Sequence, residues 1–401
     1  MTDGKTGAGP LRIFWRFLRF GMLAWGGPVA QIAMIKRELV DEERWIEPAR
    51  FNRLLAVYQV LPGPEAHELC VHLGMTRGGR VGGVLAGLAF MLPGLLLILA
   101  LAWIYARIDL SQPLLAAIFL GVQVGVVAII ARAVHRIGEH VLSDHWLWLM
   151  ATLAALASLA GVPFWISLPV AGLAYMAFAS RSLAIGLALL AMGAVLGAVA
   201  ASGPDAAFQQ SAGGAVLEPA SVSSLLLFFS GLKAGLLTFG GAYTAIPFVR
   251  DDAVGRGWVS DSQFLDSLAL SGIIPAPLII FATFVGYQAG GLSGALAITA
   301  GIFLPAFSFT LLFYDQLERV IENQRLHHFL SGVAAGVVGL IAVTTIQLAT
   351  HVGQSDQSLA LAALIFASAL ALLYRWKSKL NILVVVLGSA LLGLAFGGGG
   401  G

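Results

Sequence analysis

Apolar runs of about the length that crosses a lipid bilayer alternate with short polar stretches along almost the whole chain. A membrane helix needs about 20 apolar residues. In the first half such runs fall at 14–34, 53–74, 81–106, 113–134, 146–160, 164–179 and 182–200. In the second half they fall at 223–248, 264–287, 292–314, 327–350, 358–374 and 380–396. The thirteen runs predict an all-α polytopic membrane protein, with the pair 146–160 and 164–179 short and joined at Gly161-Val162-Pro163. Residues 201–222 are small and polar and read as an exposed linker. The chain therefore divides into an N-terminal tail (1–13), a first membrane repeat (14–200), the linker, a second membrane repeat (223–396) and a glycine tail (397–401).

The two halves repeat one another. Trp25-Gly26-Gly27-Pro28 returns as Phe239-Gly240-Gly241-Ala242 at an offset of 214, and Leu61-Pro62-Gly63-Pro64 returns as Ile274-Pro275-Ala276-Pro277 at 213. Gly78-Gly79 and Leu92-Pro93 return as Gly290-Gly291 and Leu304-Pro305 at 212, and Gly121-Val122 as Gly332-Val333 at 211. A drift of three residues over more than a hundred marks a duplication. Duplicated hydrophobic halves with shared helix-breaking residues are a signature of transporters.

The first two apolar runs of each half are broken in their middles, by Gly26-Gly27-Pro28 and Pro62-Gly63-Pro64, then by Gly240-Gly241 and Pro275-Ala276-Pro277. Proline removes a backbone donor, and non-helical backbone at membrane depth survives only against protein or a water-filled cavity. A helix restarting after such a break presents free N–H groups and the positive end of its dipole, which suits an anion. A kinked packing helix is the plainer reading of one break, but four at corresponding places favour a substrate site. Arg19 and Lys233 each lie seven residues before a glycine break, and a charge inside a span needs a reason. They are candidate cations flanking a dianion, or chains that snorkel to an interface. Gln31, Gln59 and Thr244 are candidate hydrogen-bond donors beside the breaks. Glu65, His67 and Glu68 follow Pro64 where the second half has only Leu278-Ile279-Ile280-Phe281. That asymmetry suits proton coupling, with Glu65 and His67 as the candidates, or a polar funnel.

The distribution of Lys and Arg predicts topology. The linker has none and faces away from the cytoplasm. Counting onward places Arg250 and Arg256 inside, 287–291 outside, Arg319 and Arg325 inside, 351–357 outside, and Arg375, Lys377 and Lys379 inside. Counting backward through seven segments puts the N-terminus inside, so the two repeats are expected to be inverted. One loop resists: 35–53 carries Lys36, Arg37, Arg44, Arg50 and Arg53, yet the count places it outside. Either the first two segments are re-entrant or that assignment fails.

Composition agrees. Hydrophobic residues make up 58% and charged residues 11% of 401, where a soluble chain carries roughly 25% charged. The 48 glycines suit close helix packing in lipid. A net charge of +2 gives no footing for nucleic acid, and the single cysteine, Cys70, excludes a disulfide framework within the chain or a CxxC site. The histidines sit mostly near segment ends, so neither a metal nor a cofactor is expected. No cleavable signal is evident, because Arg12, Arg16 and Arg19 interrupt the first run.

Phe20-Gly21…Gly26-Gly27-Pro28, Gln59-Val60-Leu61-Pro62-Gly63-Pro64 and Phe239-Gly240-Gly241-Ala242-Tyr243-Thr244, in duplicated halves, resemble the chromate ion transporter family in its long, two-domain form. The resemblance covers about 14–396 and implies a bacterial inner-membrane protein that exports chromate, taken up as a sulfate mimic, and so confers chromate resistance. The charge count implies a cytoplasmic N-terminus and a periplasmic C-terminus. The expected partners are the bilayer and chromate or sulfate, with a homodimer left open. Ala276 and Ala242 depart from the Gly and Pro of the first copy, so symmetric roles for the halves are in doubt. A sulfate or general oxyanion transporter or channel is the alternative. A membrane-embedded enzyme would need a convergent cluster of carboxylates or histidines, and the candidates here are dispersed.

Overall fold

The computed structural model describes residues 9–109, 112–201, 222–239, 241–313, 323–354, 359–376, 378 and 380–397. Gly240, most of the linker, the glycine tail beyond 397, Arg319, Lys377 and Lys379 lie outside them. The described chain is helical, with one isolated β-bridge. The first half runs α1 (Pro10–Met22), α2 (Gly27–Ile35) continuing into a π-helical stretch (Lys36–Glu42), α3 (Pro48–Val60), α4 (Glu65–Tyr105), α5 (Pro113–Val141), α6 (His145–Leu159), α7 (Phe164–Ala179) and α8 (Leu183–Ala201). The second runs α9 (Ser224–Leu236), a 3-10 turn (Ala242–Ala245), α10 (Ile246–Ala253), α11 (Asp261–Gly272), a 3-10 turn (Leu278–Ile280), α12 (Phe281–Leu312), α13 (Gln324–Gly353), α14 (Leu359–Arg375) and α15 (Asn381–Gly397). Proline opens α3 and α5, where its missing N–H has no partner to lose, and a Ser260/Gln263 capping box opens α11. Five stretches, at 65–105, 113–141, 183–200, 278–312 and 324–353, are long and apolar enough to cross a membrane.

Two of those five fold back on themselves. In α4, Gly78 (φ −132°, ψ 20°) and Gly79 (φ 59°, ψ −161°) leave the helical region, and in α12 Gly290 (φ −150°, ψ 22°) and Gly291 (φ 62°, ψ −155°) do the same. Gly87 lies against Val71, residues that a straight helix would hold roughly 24 Å apart. Any Cβ on Gly74 would meet the Gly82 carbonyl at 2.5 Å, and one on Gly286 the Gly294 carbonyl at 2.7 Å. Each element is therefore a tight antiparallel hairpin, made possible by a left-handed glycine at the tip and by glycines that let the two arms touch.

The short helices follow these hairpins. Ile13 lies against Gly78 and Gly82 near the first tip, and Gly21 against the Phe90 carbonyl, so α1 runs alongside the returning arm 80–105. In the second half Leu227 meets Gly290, Gly231 meets Ile298 and Gly235 meets Ile302, which is the same arrangement. After the break at Leu23–Gly26 the chain turns back. Trp45 stands 6.1 Å from Phe17, ring to ring, and under the Arg77 guanidinium at 5.2 Å, near the tip where α1 began.

The halves interlock. Gly83 faces Leu311 and Gly87 faces Phe307, so the returning arms of α4 and α12, which are repeat-equivalent, cross in opposite directions. Helix α5 packs through Gly121 and Gly125 on α15, while α13 packs through Gly332 and Gly336 on α7 and through Gly339 on α6. Each half thus lays its long helix among the last helices of the other.

Candidate functional site

The breaks meet. Pro62 and Phe239 form the isolated antiparallel bridge, and the Gly63 N–H donates to the Thr238 carbonyl at 2.8 Å. Gln31, buried one turn into α2, donates from Nε2 to the Ala24 carbonyl at 2.9 Å and to the Ala276 carbonyl at 3.1 Å. Its side chain therefore ties the first glycine break to the second proline break. Gly94 of α4 packs on Ala276, with no room for a side chain between them. From the tip at Gly79 to Gly94 is roughly 22 Å of helix, and from Gly94 to Tyr105 roughly 17 Å. The junction of non-helical backbone accordingly lies about midway along the longest arm.

Four helical segments restart at this junction, and none of them receives a side-chain cap. Gly26 (φ 86°) precedes α2, Pro64 precedes α4, Gly241 (φ 117°) and Pro277 precede the two 3-10 turns. The Thr244 hydroxyl donates to the Gly241 carbonyl at 2.7 Å, so its proton is committed to the backbone and is not offered to an anion. Pro62, Gly63, Pro64, Pro275 and Pro277 are buried, Gly26, Gly27 and Pro28 half-buried, and Gln59 half-buried at the end of α3. Helix starts without side-chain caps leave their first amides unanswered, which gives a positive local field without a cation.

Arg19 and Lys233 are engaged elsewhere. Arg19 pairs with Glu38 at 3.2 Å and Lys233 with Asp252 at 2.7 Å. These pairs are repeat-equivalent, 214 positions apart at both ends. Arg16 also reaches Glu38 (2.9 Å), and at the equivalent position the Ser230 hydroxyl donates to Asp252 at 2.6 Å. Both carboxylates are buried, and both belong to the segment that follows a glycine break. The cations therefore clamp the returning segment against the helix that precedes it. The buried partners were missed in the sequence, although the same 19-residue separation within each half was the available signal.

Glu65, His67 and Glu68 are all buried. His67 is wedged between Phe303 and Phe307 of α12, with ring centroids 4.9 and 4.8 Å away. Arg136 of α5 is close enough to act through space on both Glu65 and the Tyr243 hydroxyl. Glu68 turns back beneath Gly63, with Oε1 only 2.7 Å from where a Cβ on that glycine would stand. A further buried cluster was not anticipated: Asp266 of α11 accepts from Tyr105 at 2.6 Å and from Gln123 at 2.9 Å, joining α4, α5 and α11. No group of three metal-ligating side chains occurs among the described residues. An apolar cleft lies between α6, α7 and α8, away from the junction.

Residues 11–198 and 225–394 match the family described as chromate transporter. The chain is 60% identical to a chromate transport protein of Pseudomonas aeruginosa, covering 98% of this chain and 95% of that one. It is 33% identical to the chromate transport protein of Cupriavidus metallidurans over 94% and 91% of the two chains. An uncharacterized transporter of Bacillus subtilis is 29% identical over 42% of this chain but 95% of its own length, so it corresponds to a single repeat. No solved structure matches.

Proposed function

The chain belongs to the chromate transporter family, and from that premise we propose that it exports chromate across the bacterial inner membrane, with the junction of the four breaks as the oxyanion site. The observation that carries this is the meeting of four uncapped helix starts, from both halves, at one junction about midway along the long arms. Chromate is a tetrahedral dianion with four acceptor oxygens, and the backbone N–H groups of Gly26, Gly27, Glu65, Gly241, Ala242 and Ala276 beside the breaks are donors of the kind it needs. Glycine is required where this backbone adopts positive φ, as at Gly26, Gly27, Gly63 and Gly241. Gln31 holds the two glycine–proline elements in register. Arg19 and Lys233, through Glu38 and Asp252, hold the breaks open as loops.

The antiparallel crossing of the equivalent arms at Gly83–Leu311 and Gly87–Phe307 supports inverted repeats, because a twofold axis in the membrane plane requires it. The return of the chain at Trp45 supports re-entrant first and second segments. On that arrangement the loop 35–53 lies beside the tip residues Arg77 and Arg80 on the N-terminal, cytoplasmic face, and the positive charge that resisted the spanning count falls inside. Arg250 and Arg256 then lie outside among Asp251, Asp252 and Asp261, and the C-terminus is periplasmic. Transport proceeds by alternating access around the junction, with the interlocked helices moving as mixed bodies drawn from both halves. Export of a dianion from a negative interior is favoured by about 2.3 kcal/mol per charge per 100 mV.

The test is anion flux by the purified protein in liposomes under an imposed potential. Chromate flux that exceeds sulfate flux supports the assignment, and equal flux makes the protein a general oxyanion carrier. No flux of either removes the proposal.

A further inference from the structure

Glu68 is the one acidic side chain at the junction whose carboxyl is wholly enclosed and unanswered. It has 0% exposure, and neither Oε1 nor Oε2 has a hydrogen-bond partner among the described residues. It stands one turn into α4, the helix whose start at Pro64 forms part of the proposed anion site, and it presses on Gly63. The nearby ionisable groups do not neutralise it. Glu65 precedes it by one turn, His67 lies against the phenylalanines of α12, and His72 follows it by one turn, with its Nδ1 3.1 Å from the Tyr58 hydroxyl of α3. Arg50 of α3 acts on His72 and Arg136 of α5 acts on Glu65, neither forming an ion pair with Glu68 within 4 Å. From the second half Thr238 and Phe239 cover the break and carry no charge.

An enclosed carboxylate beside a dianion would face both desolvation and like-charge repulsion. As the neutral acid the same group has an O–H to donate to an oxyanion oxygen. Resting on the oxyanion reading above, we propose that Glu68 binds a proton together with the anion at the junction, so that chromate and a proton cross in the same direction. Protonation forms the O–H bond on the loading side and release breaks it on the other, so no oxidant or further reactant is involved. The net charge moved per cycle falls from two to one, and the flux responds less steeply to voltage than that of a bare dianion.

The experiment follows chromate and internal pH together in liposomes holding the full-length protein, under an imposed potential. It is run at alkaline pH, where free chromate is wholly the dianion and its arrival alone moves no proton. The expected result is a proton accompanying each chromate in the wild type and none in Glu68→Gln, which still carries chromate with a steeper voltage response. Protons moving against chromate, no proton movement, or proton movement that persists in Glu68→Gln overturns the inference. Should Glu68→Gln not fold, the direction of proton movement in the wild type decides alone. Absence of wild-type flux of both chromate and sulfate strikes the oxyanion reading itself, a result distinct from flux without protons.

Discussion

Replacing Lys233 by Met, alone and together with Asp252→Leu, separates two roles that the single variant would confound. Lys233 Nζ is 2.7 Å from Asp252 Oδ2 and 3.7 Å from Asp251, on a side chain 28% exposed against 4% for Asp252. Breaking a buried pair by removing one partner costs about 3–5 kcal/mol, since the other charge is stranded. Here Arg256 at 3.2 Å and the Ser230 hydroxyl at 2.6 Å still address Asp252, so the lower end, about 3 kcal/mol, is expected. The double variant Lys233→Met, Asp252→Leu removes both charges and replaces them with apolar bulk. A buried pair exchanged this way is often neutral in stability. Two readings follow, from thermal unfolding of the detergent-solubilised protein and from chromate flux in liposomes. The single variant unfolds several degrees lower and loses flux, and the double variant regains most of both. If the double variant recovers its stability but not its flux, Lys233 acts on the anion directly and the clamp argument is wrong.

Gly63→Ala is expected to insert normally and to abolish flux, because φ at 148° is poor for alanine and its Cβ would stand 2.7 Å from the Glu68 carboxyl. Gly235→Val, against the Ile302 carbonyl, and its counterpart Gly21→Val, against Phe90, are expected to lower the unfolding temperature alike, as overpacking costs about 1–3 kcal/mol. In a Cys70→Ser background, single cysteines at Arg44 and Arg80 should react with a membrane-impermeant thiol reagent from one face, and one at Ser293 from the other. Reaction of the Arg44 and Arg80 sites from opposite faces would end the re-entrant reading. Asp144 caps α6 through the Trp146 amide at 2.8 Å and accepts from Tyr175 at 2.7 Å. Burial alone would raise its carboxyl, yet these bonds, with that of Leu147 and the nearby His145, hold it below the usual value. With the folded value depressed, its stabilisation is complete above the ordinary carboxylate range and is lost as pH falls through the folded value. Asp144→Ala should therefore lower the unfolding temperature at neutral pH, by about 1 kcal/mol of cap, and matter little in strong acid.

The duplication, the helix breaks and the apolar arms could all be read from the sequence, because each depends on local residue type. Gly78-Gly79 was visible as a repeated pair, but its reversal was not, since glycine permits both a straight passage and a turn. What decides is the contact of Gly74 with Gly82, a tertiary fact. The ion pairs of Arg19 and Lys233 were hidden for a similar reason: their partners lie across a break, and a reader following one helix stops there. Asp266 could be noticed only as an intramembrane carboxylate, because Tyr105 and Gln123 stand 161 and 143 positions from it. The asymmetry at Glu65, His67 and Glu68 was evident from the repeat alignment, yet which of the three meets the junction depends on the side-chain path beneath Gly63.

The exchange of α5 and α13 between halves bears on how the chain is made. When translation reaches the linker, α5 still lacks α15, the surface that its glycine stripe fits, and α6 and α7 still await α13. The first half must therefore wait in the membrane as an incomplete bundle until the last helix emerges. A truncation near the C-terminus would then damage the earliest-made part of the molecule. Conversely, a gene cut at the linker would yield two pieces able to complete one another.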